Sequence, residues 1–298
     1  MKVLFFGTPL FSEIVLKKLI EKHEVIGVVC QPDKPANRGK KLKSPEIKNL
    51  AESMNIKVYQ FEKLKENLDV INNINPDIFV TASYGKILPK ELLDMKLCIN
   101  VHPSMLPKYR GATPIQTALL NGDKKTGVTI MKTDVGMDDG DIILQKEVEI
   151  LDADDYNSLM PKLADVGAEL LLQALEEIEN KTVKFFKQDD SKATFTKLIQ
   201  KEDALLNFNE SAETLVNKVR AYVENPTAYF FLGEDRIKVY KAEVEAGDLP
   251  NVGIGDVVTV NKKMFLIKTA KDTFSILKCQ APGGKVLDVK DFLNGYRF

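Results

Sequence analysis

Lys2-Val3-Leu4-Phe5-Phe6-Gly7-Thr8-Pro9, the run Phe11–Glu21 behind it, and Val25–Cys30 beyond that together decide the fold class. Lys2–Phe6 reads as a continuous apolar run, the pattern of a parallel strand buried on both faces. Ile14, Val15, Lys18 and Leu19 then follow at helical spacing, and Val25–Cys30 is a second buried strand. Ser44–Ser53 reads as a helix, with Ser44 as N-cap and Pro45 at the first position. Lys57–Gln60 reads as a strand and Phe61–Asn72 as a helix. Ile78–Ala82 and Cys98–His102 are strands, Pro114–Asn121 a helix, and Gly127–Lys132 and Ile142–Ile150 strands again. Asp155–Asn180 is a long helical stretch. The alternation predicts an α/β domain over residues 1–180, with a doubly wound, mostly parallel sheet.

The second half reads differently. Residues 181–202 are polar and mixed, with little periodicity, and are expected to be a linker, with the boundary near Gln200. Ser211–Val223 carries one helical pattern. Short β-rich pieces follow at Ala228–Leu232, Arg236–Ala242, Asp256–Val260, Met264–Thr269 and Phe274–Gln280. Turn residues such as Gly233, Gly253, Gly255 and Gly283-Gly284 separate them. This spacing predicts a second, smaller β-barrel domain over residues 203–298.

Composition narrows the function classes. The chain has 298 residues, 44% hydrophobic and 29% charged, which suits a globular protein. The formal net charge is −1, so any contact with nucleic acid must come from a local basic patch. Cys30, Cys98 and Cys279 are far apart and form no CxxC, as in a reducing compartment. No signal peptide or membrane span is expected, and the location expected is the cytoplasm. No coiled-coil repeat or long exposed apolar stripe is visible, so a monomer is expected.

Only two histidines are present. His23 stands between Lys22 and Glu24 and reads as a surface or helix-end residue. His102 ends the strand Cys98-Ile99-Asn100-Val101-His102, at the edge where open α/β sheets bind ligands. Strand alternation places Asn100 on the same face as His102. Spacing alone leaves two readings open: a catalytic pair, or a histidine that merely caps a strand. Asp134-Val135-Gly136-Met137-Asp138-Asp139-Gly140-Asp141 is an acidic turn between two strands. It lacks calcium-loop spacing, and no second histidine or cysteine accompanies His102, so no metal is expected. One of its carboxylates could instead orient His102 and favour the imidazolium. There is no GxGxxG after the first strand and no GxSxG around Ser104. Lys34-Pro35-Ala36-Asn37-Arg38-Gly39-Lys40-Lys41-Leu42-Lys43 is a basic stretch without an acid. It is either a solvated loop or a phosphate-binding one.

In order along the chain, Phe6-Gly7-Thr8-Pro9, Gln31-Pro32-Asp33-Lys34-Pro35, Arg38-Gly39-Lys40-Lys41, Tyr84-Gly85-Lys86-Ile87-Leu88-Pro89, Asn100–Ala112 and Gly136–Asp141 resemble the methionyl-tRNA formyltransferase family of folate-dependent formyltransferases. Gly283-Gly284-Lys285 and Asp291–Gly295 extend the likeness to the C-terminal region. The resemblance implies a Rossmann-like first domain, an oligonucleotide-binding (OB-like) type for the second barrel and 10-formyltetrahydrofolate as co-substrate. It implies charged initiator tRNA as partner and acceptor. It places the catalytic trio on Asn100, His102 and Asp138. Asparagine and histidine would stabilise the oxyanion of a direct attack, and aspartate would assist proton transfer. Folate contacts would fall on Tyr84, Gly85, Ile87, Leu88, Ser104, Met105, Leu106 and Pro107. tRNA contacts would fall on Lys34, Arg38, Lys40, Lys41 and Lys43. The chain departs from the family's usual pattern at Asp139, where threonine is common, and in having no tryptophan near Arg220–Pro226. A small-amine formyltransferase, a formyltetrahydrofolate hydrolase and a non-catalytic RNA-binding module are the rival readings.

Overall fold

The computed structural model describes residues 1–35, 42–224, 226–247 and 249–296. It contains two compact units. The first comprises Met1–Pro114, Lys125–Glu149 and Met160–Lys197; the second comprises Ile115–Lys124, Ile150–Leu159 and Leu198–Phe298.

The first unit is built on β1 (Lys2–Gly7), β2 (Glu24–Cys30), β3 (Lys34–Pro35), β4 (Leu42–Lys43), β5 (Val58–Gln60), β6 (Ile78–Ala82), β7 (Cys98–His102), β8 (Lys125–Lys132) and β9 (Ile142–Glu149). Seven of these strands form one sheet in the order β5-β2-β1-β6-β7-β8-β9. The pairs from β5 to β7 are parallel. β8 and β9 are added antiparallel at one side. The chain runs outward from β1 through β2 to β5, then returns to β6 beside β1. That reversal makes a switch point, and ligands of open α/β sheets bind beyond the strand C-termini at such points. Continuous burial of Val3–Phe6 and of Ile78–Ala82 explains the uninterrupted apolar runs. Phe6 packs edge-on against Phe79 and Tyr84, with centroids 5.6 Å away in each case.

The helices are α1 (Leu10–Leu19), α2 (Glu46–Ser53), α3 (Leu68–Ile74), α4 (Lys90–Leu93), α5 (Pro114–Leu120) and α6 (Tyr156–Glu179). Two expectations need correction. Ser44 does not cap α2; Pro45 holds the cap position, with no side-chain cap, and the Ser44 hydroxyl helps to keep the Asp33 carboxylate charged instead. The helix read from Phe61 starts later, as a 3₁₀ turn at Leu64–Asn67 that runs into α3. Phe61 is held elsewhere: its ring stacks on Tyr59, and Lys86 Nζ takes the carbonyls of Phe61 and Glu62.

The first unit also takes in residues up to Lys197 of the stretch read as a linker. Phe186 exchanges backbone hydrogen bonds with Ile142, 2.8 Å each way. Arg110 N donates to Thr194 O at 2.9 Å, and Thr196 N to Arg110 O at 2.8 Å. Such pairing needs no side-chain periodicity, which is why the sequence there looks featureless.

In the second unit, α7 (Ala212–Ala221) starts at Ser211, whose hydroxyl accepts from Thr214 N at 3.1 Å. The strands are β10 (Tyr229–Leu232), β11 (Asp235–Glu245), β12 (Val257–Val260), β13 (Met264–Lys268), β14 (Thr273–Gln280) and β15 (Leu287–Asp288). They form a curled antiparallel sheet in the order β10-β11-β14-β13-β12, with β15 on β14. Register irregularities beside Lys241 bend β11, as bulges do. Phe230, Phe265, Phe274 and Phe292 fill its core. A last helix, α8 (Val289–Gly295), was not read from the sequence, although Val289, Phe292 and Leu293 stand at helical spacing. Among the described residues no helix is long and apolar enough to cross a membrane.

Candidate active site

Asn100 and His102 project from the same face of β7, near the strand's C-terminal end. Thr81 on β6 lies opposite Asn100 in the parallel register. Its hydroxyl donates to Asn100 Oδ1 at 2.8 Å. The carbonyl end of the amide is thereby occupied, and the NH₂ end remains a donor. His102 is 4% exposed, and its Nε2 lies 2.9 Å from Tyr109 O. A carbonyl can only accept, so Nε2 carries the proton. The other ring nitrogen, Nδ1, lies 3.7 Å from Asp138 Oδ2. That is longer than a hydrogen bond but within ion-pair range. Two oxygens therefore face the two ring nitrogens.

Asp138 sits in the turn between β8 and β9 with a φ of 49°. Its Oδ2 accepts from Gly111 N at 2.7 Å. The neighbouring acid goes elsewhere: the Asp139 carboxylate lies against Gly136, where a side chain would collide with it. Gly140 lies against the Lys132 carbonyl, and a Cβ there would collide with backbone. Gly140 is thus required by close approach as the turn folds back, and of the two adjacent acids it is Asp138 that faces His102.

The residues expected to meet folate fall into two segments. In the first, the Tyr84 ring is buried in the core, and burial pushes its hydroxyl up to about 12. Its carbonyl accepts from Thr8 Oγ1 at 3.0 Å and from Gln31 Nε2 at 3.1 Å, and Gly85 O accepts from Gln31 Nε2 at 3.2 Å. Leu88 is buried, whereas Ile87 is 90% exposed. In the second segment, Ser104 is buried and its hydroxyl donates to Lys108 O at 2.6 Å. Met105 packs over Gly127. Leu106 N donates to Thr129 Oγ1 at 3.1 Å, and Leu106 O accepts from Gln145 Nε2 at 2.8 Å; a cis peptide joins it to Pro107. Side chains of β8 and β9 therefore fix this loop from below.

Of the residues expected to meet tRNA, Lys34 and Lys43 pair across the β3–β4 hairpin. Lys43 Nζ lies 3.0 Å from Glu46. Arg38, Lys40 and Lys41 lie outside the described residues. Asp33, just before the hairpin, is held below the usual carboxylate range by its hydrogen bond with Lys48, helped by Gln60.

Burial pushes the thiols up, Cys30 to about 11 and Cys98 and Cys279 to about 12, so none is a thiolate at neutral pH. Among the described residues no group of three or more His, Cys, Asp or Glu side chains is placed to hold a metal. His23 follows α1, 4.0 Å from Glu179, and takes no part in this site. Sequence reasoning missed two neighbours of the trio. Thr81 carried a signal, as the lone hydroxyl in the strand Ile78-Phe79-Val80-Thr81-Ala82; Gln188 carried none.

Residues 1–175 match the family described as Formyl transferase, and residues 198–297 match Formyl transferase, C-terminal domain. The chain belongs to the formyltransferase family. Within that family it resembles proteins named methionyl-tRNA formyltransferase. The one from Kosmotoga olearia is 40% identical over 294 residues, 97% of this chain and 94% of the relative. The one from Thermodesulfovibrio yellowstonii is 41% identical over 298 residues, 98% and 95% of the two chains. Solved structures share the family fold at lower identity. HypX from Aquifex aeolicus in complex with tetrahydrofolic acid has a TM-score of 0.69 at 17% identity, over 98% of this chain. This chain spans 47% of HypX, about half its length. The N-formyltransferase from Helicobacter canadensis, solved with folinic acid and dTDP-3-aminofucose, has a TM-score of 0.68 at 21% identity, over 93% of this chain and 98% of that one.

Proposed function

We propose that the protein transfers the formyl group of 10-formyltetrahydrofolate to the methionine amino group of charged initiator tRNA. The observation that carries the reading is the meeting of the Asn100 amide, His102 and Asp138 at one sheet edge, in a chain close to full-length methionyl-tRNA formyltransferases. The methionine amine attacks the formyl carbon, and a tetrahedral oxyanion forms. Asn100 Nδ2 donates to that oxygen, and the imidazolium of His102 stabilises its charge. Asp138 accepts the proton lost by the attacking nitrogen. As the bond from carbon to N10 breaks, that nitrogen takes up the proton. No covalent enzyme intermediate is needed. The loops at 84–88 and 104–107 receive the folate, with the exposed Ile87 offering an apolar face to its rings. The basic stretch from Lys34 to Lys43, including Arg38, Lys40 and Lys41, takes the tRNA phosphates.

The deciding assay offers the purified protein charged initiator tRNA, a small amine or water as formyl acceptor. Formylmethionyl-tRNA as the dominant product supports the proposal. Preferential formylation of an amino sugar nucleotide, or release of free formate, overturns it. Arg38→Ala is expected to raise KM for charged tRNA and to flatten its salt dependence, while folate affinity stays unchanged. Equal loss of both substrates would remove the stretch from the tRNA site.

Thr81→Val tests the orientation of the Asn100 amide. One neutral hydrogen bond is worth about 0.5–1.5 kcal/mol, so kcat is expected to fall by up to about tenfold. Thr81→Ser retains the hydroxyl and is expected to turn over close to the parent rate. If both variants behave alike, the hydroxyl does not orient the amide.

A further inference from the structure

We infer that Gln188 is a positioning residue that holds the Asp138 turn; this rests on the role proposed for Asp138. Gln188 lies in the stretch that the sequence offers as a linker, yet it is buried within the first unit. Its amide is satisfied at both ends. Nε2 donates to Asp138 O and to Gly140 O, each at 2.8 Å. Oε1 accepts from Arg110 Nε at 3.1 Å and from Arg110 Nη2 at 2.8 Å. Arg110 is buried too, and its Nη2 continues to Asp190 Oδ1 at 2.7 Å.

The two carbonyls that Gln188 grips bracket Asp139, so the clamp fixes the turn on both sides of that peptide. Asp138 has a positive φ, which a non-glycine residue keeps only where its surroundings over-determine it. Two independent grips supply that. Gln188 holds the backbone of the turn, and Gly111 N holds the Asp138 carboxylate. Both grips trace to one short loop: Arg110 binds Gln188, Gly111 is its neighbour, and Tyr109 supplies the carbonyl that binds His102. The backbone of residues 194–196 is laced to the same loop. The late segment therefore sets where Asp138 stands relative to His102. A displacement of about 1 Å at such a group can cost about 10²-fold in rate.

The test is Gln188→Glu, which keeps the shape and the acceptor facing Arg110 but loses both N–H donors. With charged initiator tRNA and 10-formyltetrahydrofolate, kcat is expected to fall by about 10- to 100-fold, with both KM values unchanged. The same substitution made on Asp138→Asn is expected to cost little more, because the group being positioned is already lost. Titration with tetrahydrofolate verifies a folded site in each variant. If Gln188→Glu does not fold, Gln188→Met, uncharged and similar in volume, replaces it. Near-parent turnover by the Gln188 variant beside an impaired Asp138→Asn would overturn the inference about Gln188 alone. So would penalties that add in full. Near-parent turnover by Asp138→Asn itself would remove the role of Asp138, and the inference with it.

Discussion

His102→Ala is expected to lower kcat by about 10²–10³-fold, with little change in either KM. The ring is 4% exposed, so it adds little surface to ground-state binding of either substrate. In the proposed mechanism its contribution comes with the charge of the tetrahedral intermediate, and an interaction made only there acts on kcat. Tyr109 O fixes Nε2 as the protonated nitrogen, and Asp138 faces Nδ1. The substitution also removes the hydrogen bond from His102 Nε2 to Tyr109 O, worth about 0.5–1.5 kcal/mol of stability. Thermal unfolding of the variant therefore accompanies the kinetics. Single-turnover rates on folded protein are the decisive measurement. A rate near that of the parent would mean that His102 only caps its strand, the alternative that spacing left open.

Much of this candidate site is legible in the sequence. Strand alternation paired Asn100 with His102, because β7 spans Cys98–His102 and its end coincides with the histidine. The acidic turn is recognisable by composition, and the family resemblance points to Asp138. The structure adds the reason: Gly136 and Gly140 leave room for Asp139 to fold back and for the turn to pass Lys132. What stayed hidden is of another kind. The antiparallel direction of β8 and β9 leaves no trace in local periodicity. Gln188 stands in a polar stretch with no period, and its importance comes from two carbonyls some fifty residues earlier, at Asp138 and Gly140. Local pattern reports which face of an element is apolar; it does not report which distant backbone group a buried amide satisfies. Thr81 lies between these cases. A hydroxyl in a fully buried strand needs a partner, so the sequence posed the question, and only the parallel register of β6 and β7 answers it.

The orientation of the Asn100 amide leads to the second large effect. Thr81 donates to Asn100 Oδ1, so in the proposed mechanism the nitrogen is the end that meets the reacting formyl oxygen. Asn100→Asp keeps the size and shape of the side chain and keeps an acceptor for Thr81. It replaces the free NH₂ with a second carboxylate oxygen. Asn100→Ala loses a donor, and donor loss in an oxyanion site costs about 10²–10³ in kcat. Asn100→Asp loses the same donor and adds a negative charge where the oxyanion develops, so it is expected to be the slower of the two. The ordering is informative because it separates electrostatics from packing: alanine leaves a gap, whereas aspartate leaves none. Comparison of kcat for the two variants at equal folate saturation, each verified as folded, decides the matter. If aspartate supports faster turnover than alanine, shape at position 100 matters more than the donor, and the amide does not face the oxyanion.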